Sequence, residues 1–190
     1  MKKKRNQRPQ REMKPVFLVF CEGDTEEEYV NFLRREYRLP IKVVPRVTGL
    51  SISPDIVRRY AQAEKLDNGD KITTFLMYDL DIESIAEKIA ACKDSISIAS
   101  NPSVELWFIL HIVEQRAAIS TSDCIGKMRK SSSDWLDYKK GTLTEKQKRQ
   151  LWDNRELASS RARQLRDDGN PSSLVYRLIE EMSAVKAKSR

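Results

Sequence analysis

The sequence lacks long apolar runs, which argues against a membrane protein. No stretch of the 190 residues approaches the roughly 20 consecutive apolar residues that a membrane-spanning helix needs. The lysines at the start are not followed by the apolar segment of a secretory signal peptide. Charged residues make up 33% of the chain. We therefore expect a cytoplasmic protein that does not span a membrane.

Cysteine and histidine are scarce, and this limits the chemistry available to the chain. Three scattered cysteines, Cys21, Cys92 and Cys124, predict reduced thiols rather than a disulfide framework or a zinc site. His111 is the only histidine, so a site with several histidine ligands is excluded. Its apolar surroundings in the sequence predict a structural role in the core.

Two sequence motifs of common enzymes are also absent. The chain has no G-x-x-x-x-G-K-[ST] motif, so it is not itself a P-loop ATPase. It has no nucleophile elbow that would support a serine or cysteine hydrolase. An ATP-dependent activity would therefore need a partner, such as a separate ATPase.

Positive charge is concentrated at the N-terminus. The net charge is +7, and residues 1–14 contain seven lysines and arginines against one glutamate, which leaves +1 for the remainder. We expect residues 1–14 to form a basic flexible tail. Such a tail either binds nucleic-acid phosphates by counterion release or serves only for solubility.

Strand and helix patterns alternate over the first hundred residues, which predicts an α/β fold with a parallel sheet. The first strand is apolar without alternation, as in a sheet covered on both faces. The predicted elements are strand 16–21, a helix capped by Asp24 or Thr25, strand 41–47, helix 54–66, strand 72–78, helix 82–92, strand 96–99 and a helix from the SNPS motif to about residue 115.

The remainder of the chain has a helical pattern. Residues 144–166 predict one helix, and Ser172 or Ser173 is placed to cap a final helix that runs to about residue 185. Three aromatic residues lie near lysines in a pattern that could stack on single-stranded bases, but we expect them in the core instead; they are Trp135, Tyr138 and Trp152, interleaved with Lys139, Lys140 and Lys148. We therefore predict an α/β core over residues 15–116 and a helical C-terminal region, 117–190, packed on it.

Acidic residues follow two of the predicted strands. Glu22 follows the first strand, and Asp79 and Asp81 follow the third. If the sheet has the doubly wound order 2-1-3-4, these carboxylates converge at its carboxyl edge, where functional residues of such sheets gather. Clustered carboxylates repel each other unless a hard cation such as Mg²⁺ lies between them. The alternative is structural, with Asp79 as a helix cap and Asp81 as an exposed acid favoured by a helix dipole.

Four segments stand out as motifs: CEGDTEEEY (21–29), MYDLDI (77–82), SNPSVELWFILH (100–111) and NPSSLVYRLI (170–179). Their order resembles that of RloB-like proteins, over roughly residues 15–111 and again in the closing segment. That family belongs to the Toprim group, named for topoisomerases and primases, and many of its relatives are associated with bacterial phage defence. The resemblance implies a Toprim-like parallel sheet flanked by helices.

The resemblance also implies a function and a set of site residues. It predicts a Mg²⁺- or Mn²⁺-dependent nuclease of antiviral defence, in which Glu22, Asp79 and Asp81 bind one or two metal ions. Glu26 and Glu105 are further acidic candidates, although Glu105 could equally form a capping contact with Asn101 or Ser103. The competing prediction is a non-catalytic module that binds nucleic acid or a nucleotide and works with an ATPase. Either protein could form a homo-oligomer.

Overall fold

The computed structural model describes residues 16–44, 51–64 and 71–188. The predicted basic tail and residues 45–47 of the second predicted strand lie outside these ranges. The elements, in chain order, are β1 (Val16–Cys21), α1 (Asp24–Tyr37), β2 (Ile41–Val44), α2 (Pro54–Ala63), β3 (Ile72–Met77), α3 (Glu83–Ala91), β4 (Ser95–Ser97), β5 (Ser100–Asn101), α4 (Val104–Leu110), α5 (Thr121–Ser131), a 3₁₀ turn (Ser133–Trp135), α6 (Glu145–Asp153), α7 (Arg155–Arg163), β6 (Ser172–Ser173) and α8 (Tyr176–Lys188).

A four-stranded parallel sheet forms the centre of the fold. Its strand order is β2-β1-β3-β4, as predicted. Phe17 pairs with Ile41 of β2, and Cys21 pairs with Met77 of β3. The α/β class with a parallel sheet flanked by helices is thus confirmed, and the architecture agrees with a Toprim-like fold. Because β1 and β3 are neighbours, the residues that follow them lie side by side.

Each face of the sheet is covered by its own apolar cluster. Successive side chains of β1 point to opposite faces, so Phe17 and Val19 join the cluster that includes α1, α4 and the C-terminal helices. Leu18 and Phe20 join the second cluster, with residues of α2 and α3. Burial on both faces explains why the strand sequence shows no alternation.

The first cluster also contains residues from beyond position 117, including Trp135 and Tyr138, which are 0% and 1% exposed. Their predicted place in the core is confirmed. The exact boundary at residue 116 stays a prediction.

Several predicted boundaries were wrong. The cap of α1 is Gly23 rather than Asp24 or Thr25. The helix after the SNPS motif ends at Leu110, where Arg161 Nη1 donates to the Leu110 carbonyl oxygen at 2.7 Å and satisfies one of the carbonyls at the helix end.

The C-terminal region differs further from the prediction. The helix predicted over 144–166 is broken at Asn154, whose side-chain amide donates to the His111 carbonyl oxygen at 2.9 Å. Ser172 and Ser173 form β6, which pairs antiparallel with β5, and therefore do not cap α8. These differences share one cause, since long-range hydrogen bonds replace the local ones that the sequence pattern favours.

Within the described ranges, every helix is too short or too polar to cross a membrane.

Candidate active site

A cleft of about 360 Å³ opens at the carboxyl ends of β1 and β3. Three of the predicted acids, Glu22, Glu26 and Asp79, line it, together with Lys140 and Gly141 from the loop before α6. The sheet therefore brings together acids that are far apart in the sequence.

Glu22 and Asp79 are joined by a direct hydrogen bond. The backbone N–H of Asp79 donates to Glu22 Oε2 at 3.0 Å. Asp79 Oδ1 in turn accepts the backbone N–H of Val104 at 2.8 Å. Val104 is the first residue of α4, so Asp79 satisfies one of the free donors at that helix start. Asp79 does have a capping role, but at α4 rather than at the helix that follows it.

Glu26 lies one helical turn beyond Glu22, and its side chain is held at the start of α1. Its Oε2 accepts the backbone N–H of Gly23 at 3.1 Å. A Cβ at residue 23 would lie only 3.1 Å from that same oxygen, so glycine allows the carboxylate to approach the backbone. The residue is 5% exposed.

Burial and mutual repulsion raise the pKa of all three carboxyl groups. Burial is the largest cause in each case. The pKa of Glu26 rises to about 7, with the charges of Glu105 and Glu22 adding to the effect. The pKa of Asp79 rises to about 9, with contributions from Glu26 and Glu105. Without a cation, the cleft therefore retains protons at neutral pH.

The other two predicted acids lie outside the cleft wall. Asp81 is exposed, and its charge contributes to the raised pKa of Glu22. Glu105 is 0% exposed and lies behind the cleft, where it accepts hydrogen bonds from Ser103 Oγ at 2.7 Å and from the Tyr138 hydroxyl at 3.0 Å. Glu105 therefore contacts Ser103, but through a bond between side chains, and Ser103 forms no side-chain capping bond at α4.

Lys140 lies at the mouth of the cleft, a position that the sequence did not indicate. Its Nζ lies 3.5 Å from Glu105 Oε1, and its charge lowers the pKa of Glu22 in opposition to burial. Gly141 fixes the loop beside it, since its N–H donates to Thr25 Oγ1 at 2.9 Å and its φ is +81°. In the sequence, Lys140 stood out only as one of several lysines near aromatic residues, and neither that pattern nor the turn pattern KKGT indicates where in space the lysine lies.

The donors in the cleft fit a hard divalent cation in part. Among the described residues, no three His, Cys, Asp or Glu side chains form a group that could hold a metal ion. Mg²⁺, however, is commonly bound by one or two carboxylates and completes its shell with water and substrate phosphate oxygens. Glu22 and Asp79 provide such a pair, and burial raises the pKa of both carboxyl groups.

Fold and site together define an α/β protein with an acidic cleft at the carboxyl edge of a parallel sheet. A family model described as RloB-like protein matches residues 17–182. The chain therefore belongs to the RloB-like family. No curated protein and no solved structure matches it.

Proposed function

We propose that this protein is a Mg²⁺- or Mn²⁺-dependent nuclease that hydrolyses phosphodiester bonds in DNA or RNA. The observation that carries the proposal is the cleft in which Glu22, Glu26 and Asp79 lie opposite Lys140. Carboxylates with raised pKa values, beside a cation and at the carboxyl edge of a parallel sheet, suit metal-assisted chemistry on a phosphate.

Glu22 and Asp79 would hold the metal ion, with Asp81 near enough to add negative charge. When bound, the ion would lower the pKa of an attacking water and offset charge on the phosphate. Glu26 is suited to accept the proton of that water, because its pKa of about 7 matches neutral pH. Lys140 is suited to contact a phosphate oxygen as the P–O bond to the leaving oxygen breaks.

One observation favours a second candidate, a binding module without catalysis. Glu22, Glu26 and Asp79 each accept a backbone N–H, so all three have structural roles that do not require a metal. In that case the cleft would bind a nucleotide or nucleic acid and act through a partner such as an ATPase.

The test is cleavage of labelled single- and double-stranded DNA and RNA with Mg²⁺, Mn²⁺ or EDTA. The main variant is Asp79→Asn, which keeps Oδ1 as an acceptor for Val104 and so preserves the start of α4. Glu87→Gln, an exposed change on α3, is the control. We expect metal-dependent cleavage that falls at least about 100-fold in Asp79→Asn and is unchanged in the control.

Equal activity in Asp79→Asn and the wild type would refute the assigned site and indicate a contaminating nuclease. Absence of cleavage in every condition, with nucleic-acid binding retained, would favour the binding module.

We also propose that the nuclease acts in antiviral defence in the cytoplasm, as the family resemblance implies. The test is phage plating on cells that express the wild type or Asp79→Asn. A reduction in plaques that requires Asp79 supports the proposal, and equal plating on both strains contradicts it.

A further inference from the structure

A second concave surface among the described residues is larger than the acidic cleft. It is a groove of about 650 Å³ between α1 and α6, which we call the α1–α6 groove. Phe32 of α1 and Trp152 of α6 supply its aromatic lining. Its charged lining consists of Arg35, Lys146, Lys148 and Arg149 against Glu36, Glu145 and Asp153.

Two of the cations are available to a ligand. Lys148 is only 12% exposed and is held by Glu28 at 2.9 Å and by Glu145 at 3.2 Å. Within the described part of the chain, Lys146 and Arg149 form no ion pair. They are three residues apart on α6, so they project from the same side of that helix. Both side chains are exposed.

The two helices that form the groove run in the same direction. Lys148 contacts Glu28, and Trp152 packs edge-on against Phe32 and Tyr37, so α6 runs alongside α1. The N-terminal ends of both helices therefore point toward the acidic cleft. Lys146 lies at that end of α6, beside Glu145, and Arg149 lies at the middle of the helix.

The acids Glu36 and Asp153 lie in the last turns of their helices, at the opposite end of the groove. Glu26, which lines the cleft, and Phe32, which lines the groove, are six residues apart on α1, or about 9 Å along the helix axis. Lys140, which lines the cleft, belongs to the loop that leads into α6.

We propose that the α1–α6 groove binds a single-stranded segment of nucleic acid and leads it to the acidic cleft. Lys146 and Arg149 contact backbone phosphates, and the partly exposed Trp152 stacks on a base. Cationic grooves lined with aromatic rings bind single strands in this way, without base specificity. The inference rests on the proposed function, because it assigns the path of the strand that the cleft would cut.

The shape of the site favours a strand over a duplex. Proteins that bind double-stranded DNA insert a protruding helix or strand into a groove of the duplex, whereas the α1–α6 groove is itself concave. A flexible single strand can enter it and expose a base to Trp152. The Arg155 guanidinium lies over one face of the Trp152 ring, 4.2 Å from its centroid. An acidic peptide would satisfy the cations but would offer the indole no base to stack on.

The experiment measures binding in EDTA, where metal-dependent cleavage cannot occur. Labelled 12-nucleotide oligo(dT) and oligo(U) are titrated with the full chain at several salt concentrations, with fluorescence anisotropy as the readout. The variant is Lys146→Glu/Arg149→Glu. The charge-matched control is Arg59→Glu/Lys93→Glu, two exposed cations on the opposite face of the sheet.

We expect the double variant to bind at least about 10-fold more weakly at 0.1 M salt. The slope of log K against log salt should decrease by about 1.4, since each phosphate contact to a single strand contributes about 0.7. The control should bind like the wild type.

Tryptophan fluorescence provides a second readout. Trp107 and Trp135 are both 0% exposed, so quenching by the oligonucleotide reports on Trp152. We expect Trp152→Phe, which keeps an aromatic ring against Phe32 and Tyr37, to lose this quenching.

Unchanged affinity and salt slope in Lys146→Glu/Arg149→Glu would overturn the proposal. So would failure of the wild type to bind either oligonucleotide, tighter binding of a matched duplex, or displacement of the strand by poly-glutamate at equal concentration. The two proposals fail separately. Groove-dependent binding without cleavage in Mg²⁺ refutes the nuclease alone, and metal-dependent cleavage with an unchanged KM in the double variant refutes the groove alone.

Discussion

Replacing Glu26 with glutamine should stabilise the metal-free protein at alkaline pH. The wild-type carboxyl is 5% exposed, and its pKa rises from 4.5 to about 7 in the folded state. Below pH 4.5 the group is protonated in the folded and unfolded states alike. Between pH 4.5 and 7 the folded state binds more protons, so the free energy of unfolding falls as pH rises.

The magnitude follows from that difference in pKa. Each pKa unit corresponds to about 1.36 kcal/mol, so ionising Glu26 costs the folded state roughly 3 kcal/mol by pH 8. Glutamine has nearly the same size and keeps an oxygen that can accept the Gly23 N–H. We therefore expect Glu26→Gln to match the wild type near pH 4.5 and to exceed its stability by up to about 3 kcal/mol at pH 8.

Urea unfolding in EDTA at pH 4.5, 6 and 8 measures this difference. Glu36→Gln, in the exposed last turn of the same helix, is the control and should change stability little at any pH. Two results would refute the explanation that burial and repulsion raise the pKa of Glu26. One is a Glu26→Gln protein that is less stable than the wild type at pH 8. The other is a difference in free energy of unfolding between the two proteins that does not vary with pH.

Two further predictions concern the cation and the loop. Mg²⁺ should raise the Tm of the wild type more at pH 8 than at pH 6, because it must displace protons from Glu22 and Asp79. Glu22→Gln should abolish that increase, and an equal increase in the variant would place the cation elsewhere. Gly141→Ala should cost roughly 1–2 kcal/mol in urea unfolding, because the residue has a φ of +81° and a Cβ would lie 3.2 Å from Asp24 Cβ. Wild-type stability in Gly141→Ala would show that the loop can move without strain.

The parts of the fold that depend on local pattern were predictable from the sequence. Continuous apolar residues in β1 indicated a strand covered on both faces, and the strand order then placed Glu22 beside Asp79. That convergence needs only the rule that parallel strands end at a common edge. The same reasoning could not give the hydrogen bond between them, because it depends on the register of Cys21 with Met77.

The parts that depend on distant contacts were not predictable. The break at Asn154 exists because its side chain bonds to the carbonyl of His111, and no local feature distinguishes that asparagine from one inside a helix. The role of Glu105 likewise depends on Tyr138, which reaches it from the loop before α6.

Lys140 shows why the C-terminal region bears on function. Tyr138 bonds to Glu105, and the Gly141 N–H bonds to Thr25, so the loop is attached on both sides of the lysine. Lys140 is therefore held over the carboxylates by bonds that do not involve its own ammonium group. A substrate phosphate could then take the place of Glu105 as the partner of that group without moving the loop. The same loop leads into α6, so the cation at the cleft and those of the α1–α6 groove belong to one continuous segment of the chain.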